Sequence, residues 1–358
     1  VLSERIESRP LPTVTIDDLR EEYQKGRATI FSHKLSEAIA DRLNKKQQVI
    51  LFQNRRAYAT FLLCRECGYA AGCPNCAVSL KLHAAERMLR CHHCDYEQQA
   101  PDTCPNCGGR KISQFGIGTE RIEQETRNMF PDARVLRMDR DTTSRKGSHS
   151  NILDTFRRRE ADILVGTQMI AKGLDFPGVT LVGVISADTS LNLPDFRAGE
   201  RTFQLLSQVA GRAGRGTEAG EVVIQTFNPE HYAVVAAAAH DYTGFYEQEI
   251  EHRHDTNFPP FSSAVNIVAS DEKEAEAQRR LKELVKAIDE GSKAAELPIE
   301  LLGPAPAPVS RVRGRYRWHV MLRSTDRDYL IRLVKQALDA VPSARRGLSV
   351  DVDPATML

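Results

Sequence analysis

The chain has 358 residues, of which 41% are apolar and 27% charged, and its 49 basic and 48 acidic side chains leave a net charge of +1. This is an ordinary balance for a folded chain with room for two or three domains, and it provides no overall field to attract nucleic acid, so such binding must rest on local patches. No apolar run approaches a membrane span and no charged-then-apolar leader opens the sequence, while a first residue other than Met is expected of a piece of something longer.

Strand-like apolar runs alternate with helical stretches from about residue 29 to 61, and again from 114 to about 230, the pattern of a parallel α/β layer. Strands are predicted at 48–52, 134–138, 162–165, 180–186 and 221–226, with helices at 120–129 and 150–158 among those between them. A cysteine-rich block at 62–109 interrupts the alternation as a compact insertion. From 264 onward the order is strand, helix (271–290), strand, strand (316–322), helix (327–340), strand (348–352), which fits a ferredoxin-like split β-α-β unit. The expected division is 1–61 and 110–239 for the α/β lobe, 62–109 for the insertion, and 240–358 for a small α/β C-terminal domain.

All eight cysteines lie in four Cys-x-x-Cys pairs: Cys64 and Cys67, Cys73 and Cys76, Cys91 and Cys94, Cys104 and Cys107. A two-residue spacer lets both thiolates of a pair reach one ion, so four pairs imply two closed four-cysteine zinc sites, which hold structure and leave no open position for catalysis. A disulfide framework and iron–sulfur ligation are the competing readings; the intracellular character of the flanking sequence and the i, i+3 spacing favour zinc and a reducing cytoplasm. Fourteen residues separate Cys76 from Cys91, close to a zinc-ribbon interval, so the inner pairs (Cys73, Cys76, Cys91, Cys94) are expected to share one ion and the outer pairs (Cys64, Cys67, Cys104, Cys107) the other. A sequential pairing would need a five-residue reversal between Cys67 and Cys73. Loss of metal is expected to melt 62–109 and spare the rest. His92 and His93, beside four complete pairs, are expected to be exposed.

The α/β layer carries the motifs. In Gln208-Val-Ala-Gly-Arg212-Ala-Gly-Arg215-Gly, a helical continuation would set Gln208, Arg212 and Arg215 at i, i+4 and i+7 on one face, with glycines where something bulky must approach. Guanidinium forks match phosphate oxygens. This stretch resembles motif VI of superfamily 2 helicases, whose arginines reach the γ-phosphate of ATP held on the other lobe. Val-Gly-Thr167-Gln168-Met-Ile-Ala-Lys172-Gly173-Leu-Asp175 resembles motif V, in which the Thr contacts the DNA backbone and the Gly and Asp lie near the ribose. Gln-Val-Ile-Leu-Phe-Gln-Asn54-Arg55-Arg56 resembles motif IV, a strand ending in a basic turn.

An eight-cysteine insertion after Asn-Arg-Arg, followed by Gly116-Ile-Gly118-Thr119-Glu120-Arg121, Met138-Asp139-Arg140-Asp141-Thr142-Thr143, Leu193-Pro194-Asp195-Phe196-Arg197 and Leu302-Gly303-Pro304-Ala305-Pro306, is similar to the bacterial replication-restart helicase family, PriA or primosomal protein N-prime. The resemblance covers essentially the whole chain. It implies a RecA-like second helicase lobe with nested zinc sites, and an ATP- and Mg2+-dependent 3′ to 5′ helicase acting on replication forks and single-stranded DNA. Primosome proteins and single-stranded DNA-binding protein are the partners implied, with no membrane. Neither a Gly-x-x-x-x-Gly-Lys-[Ser/Thr] loop nor an Asp-Glu-x-His box occurs in the sequence, so by this resemblance the chain is the C-terminal portion of the enzyme, inactive alone. The roles implied are phosphate contact for Arg212 and Arg215 with Gln208, nucleotide contact for Gly173 and Asp175, and DNA contact for Asn54, Arg55, Thr167, Gln168 and Lys172. A non-enzymatic zinc adaptor, with the lobe as a docking platform, is the competing class.

In the C-terminal domain Arg311, Arg313, Arg315 and Arg317 share parity, with Val312, Tyr316, Trp318, Val320 and Leu322 on the other. A single extended strand would bury the apolar set and line the arginines along one face as a phosphate-tracking strip, in competition with an ordinary solvated strand face.

Overall fold

The computed structural model describes residues 11–27, 29–54, 61–76, 78–143, 147–171, 176–216, 218–295 and 299–356. Its strands in chain order are β1 (Thr13–Asp18), β2 (Gln48–Phe52), β3 (Phe61–Cys64), β4 (Lys81–His83), β5 (Met88–Arg90), β6 (Glu97–Gln99), β7 (Ile112–Phe115), β8 (Val135–Met138), β9 (Ile163–Gly166), β10 (Val179–Val184), β11 (Glu221–Thr226), β12 (Ser263–Asp271), β13 (Glu300–Val312), β14 (Arg315–Ser324) and β15 (Leu348–Val352).

A strand buried at every position must have both faces covered, and this is the condition of β2, β9 and β10. They lie inside a six-stranded sheet ordered β1-β11-β10-β2-β9-β8, with every pair parallel. Because successive side chains alternate faces, Ile50, Phe52, Val182, Val184, Val222 and Ile224 meet helices Ser148–Arg157, Ala198–Ala210 and Tyr232–Ala238 on one side. On the other, Val49, Leu51, Ile163, Val165, Leu181 and Val223 meet Leu35 and Ile39 of helix His33–Asn44 and Ile122 of helix Thr119–Met129. Ser32 starts the first of these helices, its hydroxyl accepting from the Leu35 N–H at 3.2 Å. The edge strand β1 lies ahead of the alternation that begins at about residue 29; it pairs in register with β11 and contributes only Val14 and Ile16 to the core.

The insertion stands on a stem formed by β3 and β7, paired antiparallel from Phe61↔Phe115 to Cys64↔Ile112. Within it, β4, β5 and β6 form a small antiparallel sheet. The C-terminal sheet has the order β13-β14-β12-β15 and the predicted β-α-β-β-α-β succession, a ferredoxin-like unit. One face packs Val265, Ile267, Val320 and Leu322 under Leu281, Leu284, Ile288, Leu330 and Leu333 of its two helices. The other face is covered by the insertion: Ala264, Leu302 and Met321 share an apolar cluster with Leu80, Leu82, Leu89 and Phe258. Helix Tyr242–Asp255, assigned to the C-terminal domain from sequence, contributes Phe245 to the lobe core, stacked on Phe203 with ring centroids 4.2 Å apart.

This packing corrects the expected exposure of His92 and His93, which are 1% and 0% exposed. His92 Nδ1 lies 2.7 Å from the Pro306 carbonyl, His93 Nε2 3.2 Å from that of Pro194, and the His92 carbonyl meets His319 Nε2. The imidazoles are polar pins between the insertion, the lobe and the C-terminal sheet. Burial pushes the His319 imidazole down from 6.5 to about 4; the His92 carbonyl opposes the shift, while His93 and Arg317 add to it. The unfolded chain therefore takes up this proton first, and the contribution is complete above the unfolded value and lost as pH falls toward the folded one. Acidification from pH 7 to 5 should cost on the order of 2 kcal/mol at this group. Urea unfolding of the zinc-loaded chain checks it: His319→Gln should flatten the pH slope, and an unaltered slope contradicts the assignment.

Candidate functional site

The eight thiols converge as two clusters, Cys64, Cys67, Cys104 and Cys107, and Cys73, Cys76, Cys91 and Cys94, each with its sulfurs within 4.8 Å of one another. This is the nested arrangement. Sulfur pairs stand 3.7 Å apart for Cys64 and Cys107, 3.6 Å for Cys67 and Cys104, and 3.6 Å for Cys73 and Cys94. A tetrahedral zinc with Zn–S bonds of about 2.3 Å sets its ligands about 3.8 Å apart, so the donor sets fit that ion. Knuckle turns aim N–H groups at sulfur, His93 to Cys91 and Gly109 to Cys107, both at 3.4 Å. In both Cys-Pro-Asn-Cys turns the Asn amide crosses to the other pair, Asn106 to Cys67 at 3.5 Å and Asn75 to Cys94 at 3.8 Å.

The charge state follows from this crowding. The Cys76 thiol draws Cys91 down to about 5 against its burial, helped by the Cys94 and His93 amides. Burial pushes Cys67 up, but the Asn106 amide, the Tyr69 N–H and neighbouring thiols bring it down to about 7. Burial raises Cys64 and Cys73 to about 12. Four acids at one point release protons unequally; a dication at the centre is what would hold all four as thiolates. The two sites differ in cover, since Cys107 is exposed whereas Cys73, Cys76 and Cys91 are buried.

The helicase-like motifs meet elsewhere, at the C-terminal ends of the parallel strands, where open α/β sheets bind ligands. A cavity of about 230 Å³ is lined by Asn54, Gln168, Leu193, Arg201, Gln204, Leu205 and Gln208. Asn54, just beyond β2, is 3% exposed; its amide donates to Ser190 Oγ at 2.5 Å and its carbonyl accepts from Gln168 Nε2 at 3.1 Å. Gln53 Nε2 donates to Thr189 Oγ1 at 3.3 Å. Thr167 is buried at the end of β9. Arg55, Lys172, Gly173 and Asp175 lie outside the described residues. Arg201 and Gln204 were not singled out from sequence, although they precede Gln208 on one face of helix Ala198–Ala210 at helical spacing.

The helix does not continue through the arginines as expected. It ends at Ala210 with Gly211 as cap, and the guanidiniums turn back, Arg212 Nε to the Gln208 carbonyl at 3.3 Å and Arg215 Nε to that of Gly211 at 2.9 Å. The close neighbour of the glycines is the chain itself. A Cβ on Gly214, whose φ is +67°, would sit 2.5 Å from Gly220 N, and one on Gly216 would sit 2.4 Å from the Pro177 carbonyl oxygen.

The arginine strip also differs from expectation. Arg313 and Gly314 take φ of 49° and 80°, a two-residue hairpin turn, so β13 ends at Val312, which pairs with Arg315, while Arg311 pairs with Tyr316. Paired residues share a face; Arg311 therefore lies over the Tyr316 ring, 4.9 Å from its centroid, and Arg315 and Arg317 lie on the opposite face. The four arginines surround a hairpin tip instead of lining one strand.

Three family models match in succession: the PriA DNA helicase Cys-rich region domain over residues 73–99, the helicase conserved C-terminal domain over 107–217, and the primosomal protein N C-terminal domain over 254–355. Together with the parallel sheet and its motif cleft, they define a RecA-like helicase lobe carrying a zinc insertion. The chain is 42% identical to the replication restart protein PriA of Bacillus subtilis, over 100% of its own length and 44% of that protein. To those of Synechocystis and Haemophilus influenzae it is 42% and 38% identical, over 99% of its length and 43% and 48% of theirs. Along its whole length the chain matches the C-terminal portion of these PriA proteins, and it spans less than half of theirs.

Elemental analysis should find two zinc ions per chain. Because the insertion shares its apolar cluster with Phe258, Ala264, Leu302 and Met321, metal removal should loosen the C-terminal sheet as well as melt 62–109. Asn75→Ala and Asn106→Ala should each speed zinc transfer to a chelator by about tenfold, the lower end for lost outer hydrogen bonds to ligands. Unchanged release in both variants would show that the amide crossings are incidental.

Proposed function

We propose that this chain is the second motor lobe and C-terminal domain of an ATP- and Mg2+-dependent 3′ to 5′ DNA helicase that restarts replication at stalled forks in the cytoplasm, with primosome proteins and single-stranded DNA-binding protein as partners. The observation that carries the reading is the convergence of Asn54, Gln168 and Gln208, from three separated motifs, on one cavity at the sheet's C-terminal edge. ATP would lie between this lobe and a P-loop lobe, with Arg212 and Arg215 against its phosphates and Gly173 and Asp175 toward the ribose. Asn54 and Gln168, already hydrogen-bonded together, would shift as one unit with Thr167, Arg55 and Lys172 along the DNA backbone. The hairpin of Arg311, Arg313, Arg315 and Arg317 would add phosphate contacts, with Tyr316 under Arg311. An adaptor that only docks proteins has no use for this motif set in one cleft.

Two outcomes test this. The chain alone should hydrolyse no ATP above background, and in the complete enzyme Arg212→Ala or Arg215→Ala should reduce ATP turnover about a thousandfold or more, the worth of an arginine finger. Robust turnover by the isolated chain, or normal unwinding by both variants, would defeat the assignment. Separately, Arg313→Ala with Arg315→Ala should flatten the log–log salt dependence of single-strand binding by about one to two units. An unaltered slope would leave the hairpin as a solvated tip.

A further inference from the structure

The segment after β15 turns back to the helicase lobe. Asp353 anchors it to the C-terminal sheet: its N–H donates to the Ala264 carbonyl at 2.7 Å, its carboxylate accepts from Ala264 N at 3.2 Å, and Arg327 Nε donates to it at 2.9 Å. Pro354 is buried, closing a pocket of about 190 Å³ with Phe196, Arg197 and Pro259. The Ala355 carbonyl then accepts from Arg201 Nη2 at 2.6 Å and from Arg197 Nη1 at 3.4 Å. Arg201 Nη1 lies 2.8 Å from Asp195 Oδ2, and Asp195 has no exposed side-chain surface. The same Arg201 lines the motif cavity with Asn54, Gln168 and Gln208.

One guanidinium, with five donors in a planar fork, thus touches the motif cleft, a buried carboxylate and the end of the C-terminal domain. We propose that Arg201 is a positioning residue and that residues 353–356 form a clasp through it, tying the C-terminal domain to the cleft so that movement of the motif residues carries the DNA-holding domain along. The clasp adds a mechanical link to the helicase reading and rests on it for its role in unwinding. A carbonyl is an acceptor that no side-chain change removes, so the clasp is opened by ending the chain after Pro354, and Arg201→Ala opens it from the other side.

In the complete enzyme, ending the chain after Pro354 should leave DNA-dependent ATP turnover within about twofold while base pairs unwound per ATP fall about fivefold or more. Arg201→Ala should show that loss of coupling, and the two changes combined should lose no more than either alone, the non-additivity expected of two halves of one contact. In the chain by itself, ending it after Pro354 should raise amide hydrogen exchange in Gln204–Gln208 about fivefold, with zinc content still at two. Additive losses, or full coupling in the shortened enzyme, would overturn the clasp. If the unmodified enzyme shows no DNA-dependent turnover, the helicase reading has failed, and unaltered exchange at Gln204–Gln208 then overturns the clasp independently.

Discussion

The arrangement of this chain depends on four sulfurs meeting at each of two points. The insertion between β3 and β7 has strands of only three residues and few large apolar side chains, too little to pack a core alone. Nested tetrahedral sites replace that core, because each joins residues about forty positions apart for the outer site and about twenty for the inner. With its own chain fixed, the insertion can offer Leu80, Leu82 and Leu89 to the C-terminal sheet. The lobe, insertion and C-terminal domain are thereby held against one another, with His92, His93 and His319 supplying the polar contacts at the seam.

Much of this was legible in sequence where one local rule dominates. The run 48–52 reads as a doubly covered strand because nothing in it is tolerable at a surface except Gln48, which donates to the Phe156 and Ala161 carbonyls at 2.8 and 2.9 Å. Cys76 and Cys91 paired correctly because spacing limits how thiolates can reach an ion. The misses share a cause, since each depends on a distant partner. β1 is a strand because β11 offers an open edge; His92 and His93 are buried because a sheet more than two hundred residues later covers them. The parity of the arginine run breaks at Arg313-Gly314, where both residues take positive φ, and the hairpin redistributes the arginines.

The motif cleft shows the same division. Asn54, Gln168 and Gln208 could be named from their motifs and Arg201 and Gln204 from their helical spacing to Gln208, but Ser190 could not, because only the fold brings the segment after β10 under the end of β2. Gly214 and Gly216 are required by the close passage of residues 177 and 219–220, so the loop that carries Arg212 and Arg215 is shaped by backbone packing.

X-ray absorption at the zinc edge of the purified chain, with metal counted in the same sample, tests whether the eight thiolates hold two closed sites. Two zinc ions per chain are expected, each with four sulfur neighbours at about 2.3 Å and no nitrogen or oxygen in that shell. A single ion, or a nitrogen neighbour at about 2.0 to 2.1 Å, would contradict this, because His92 or His93 would then be a ligand and could not pin the insertion to the C-terminal sheet.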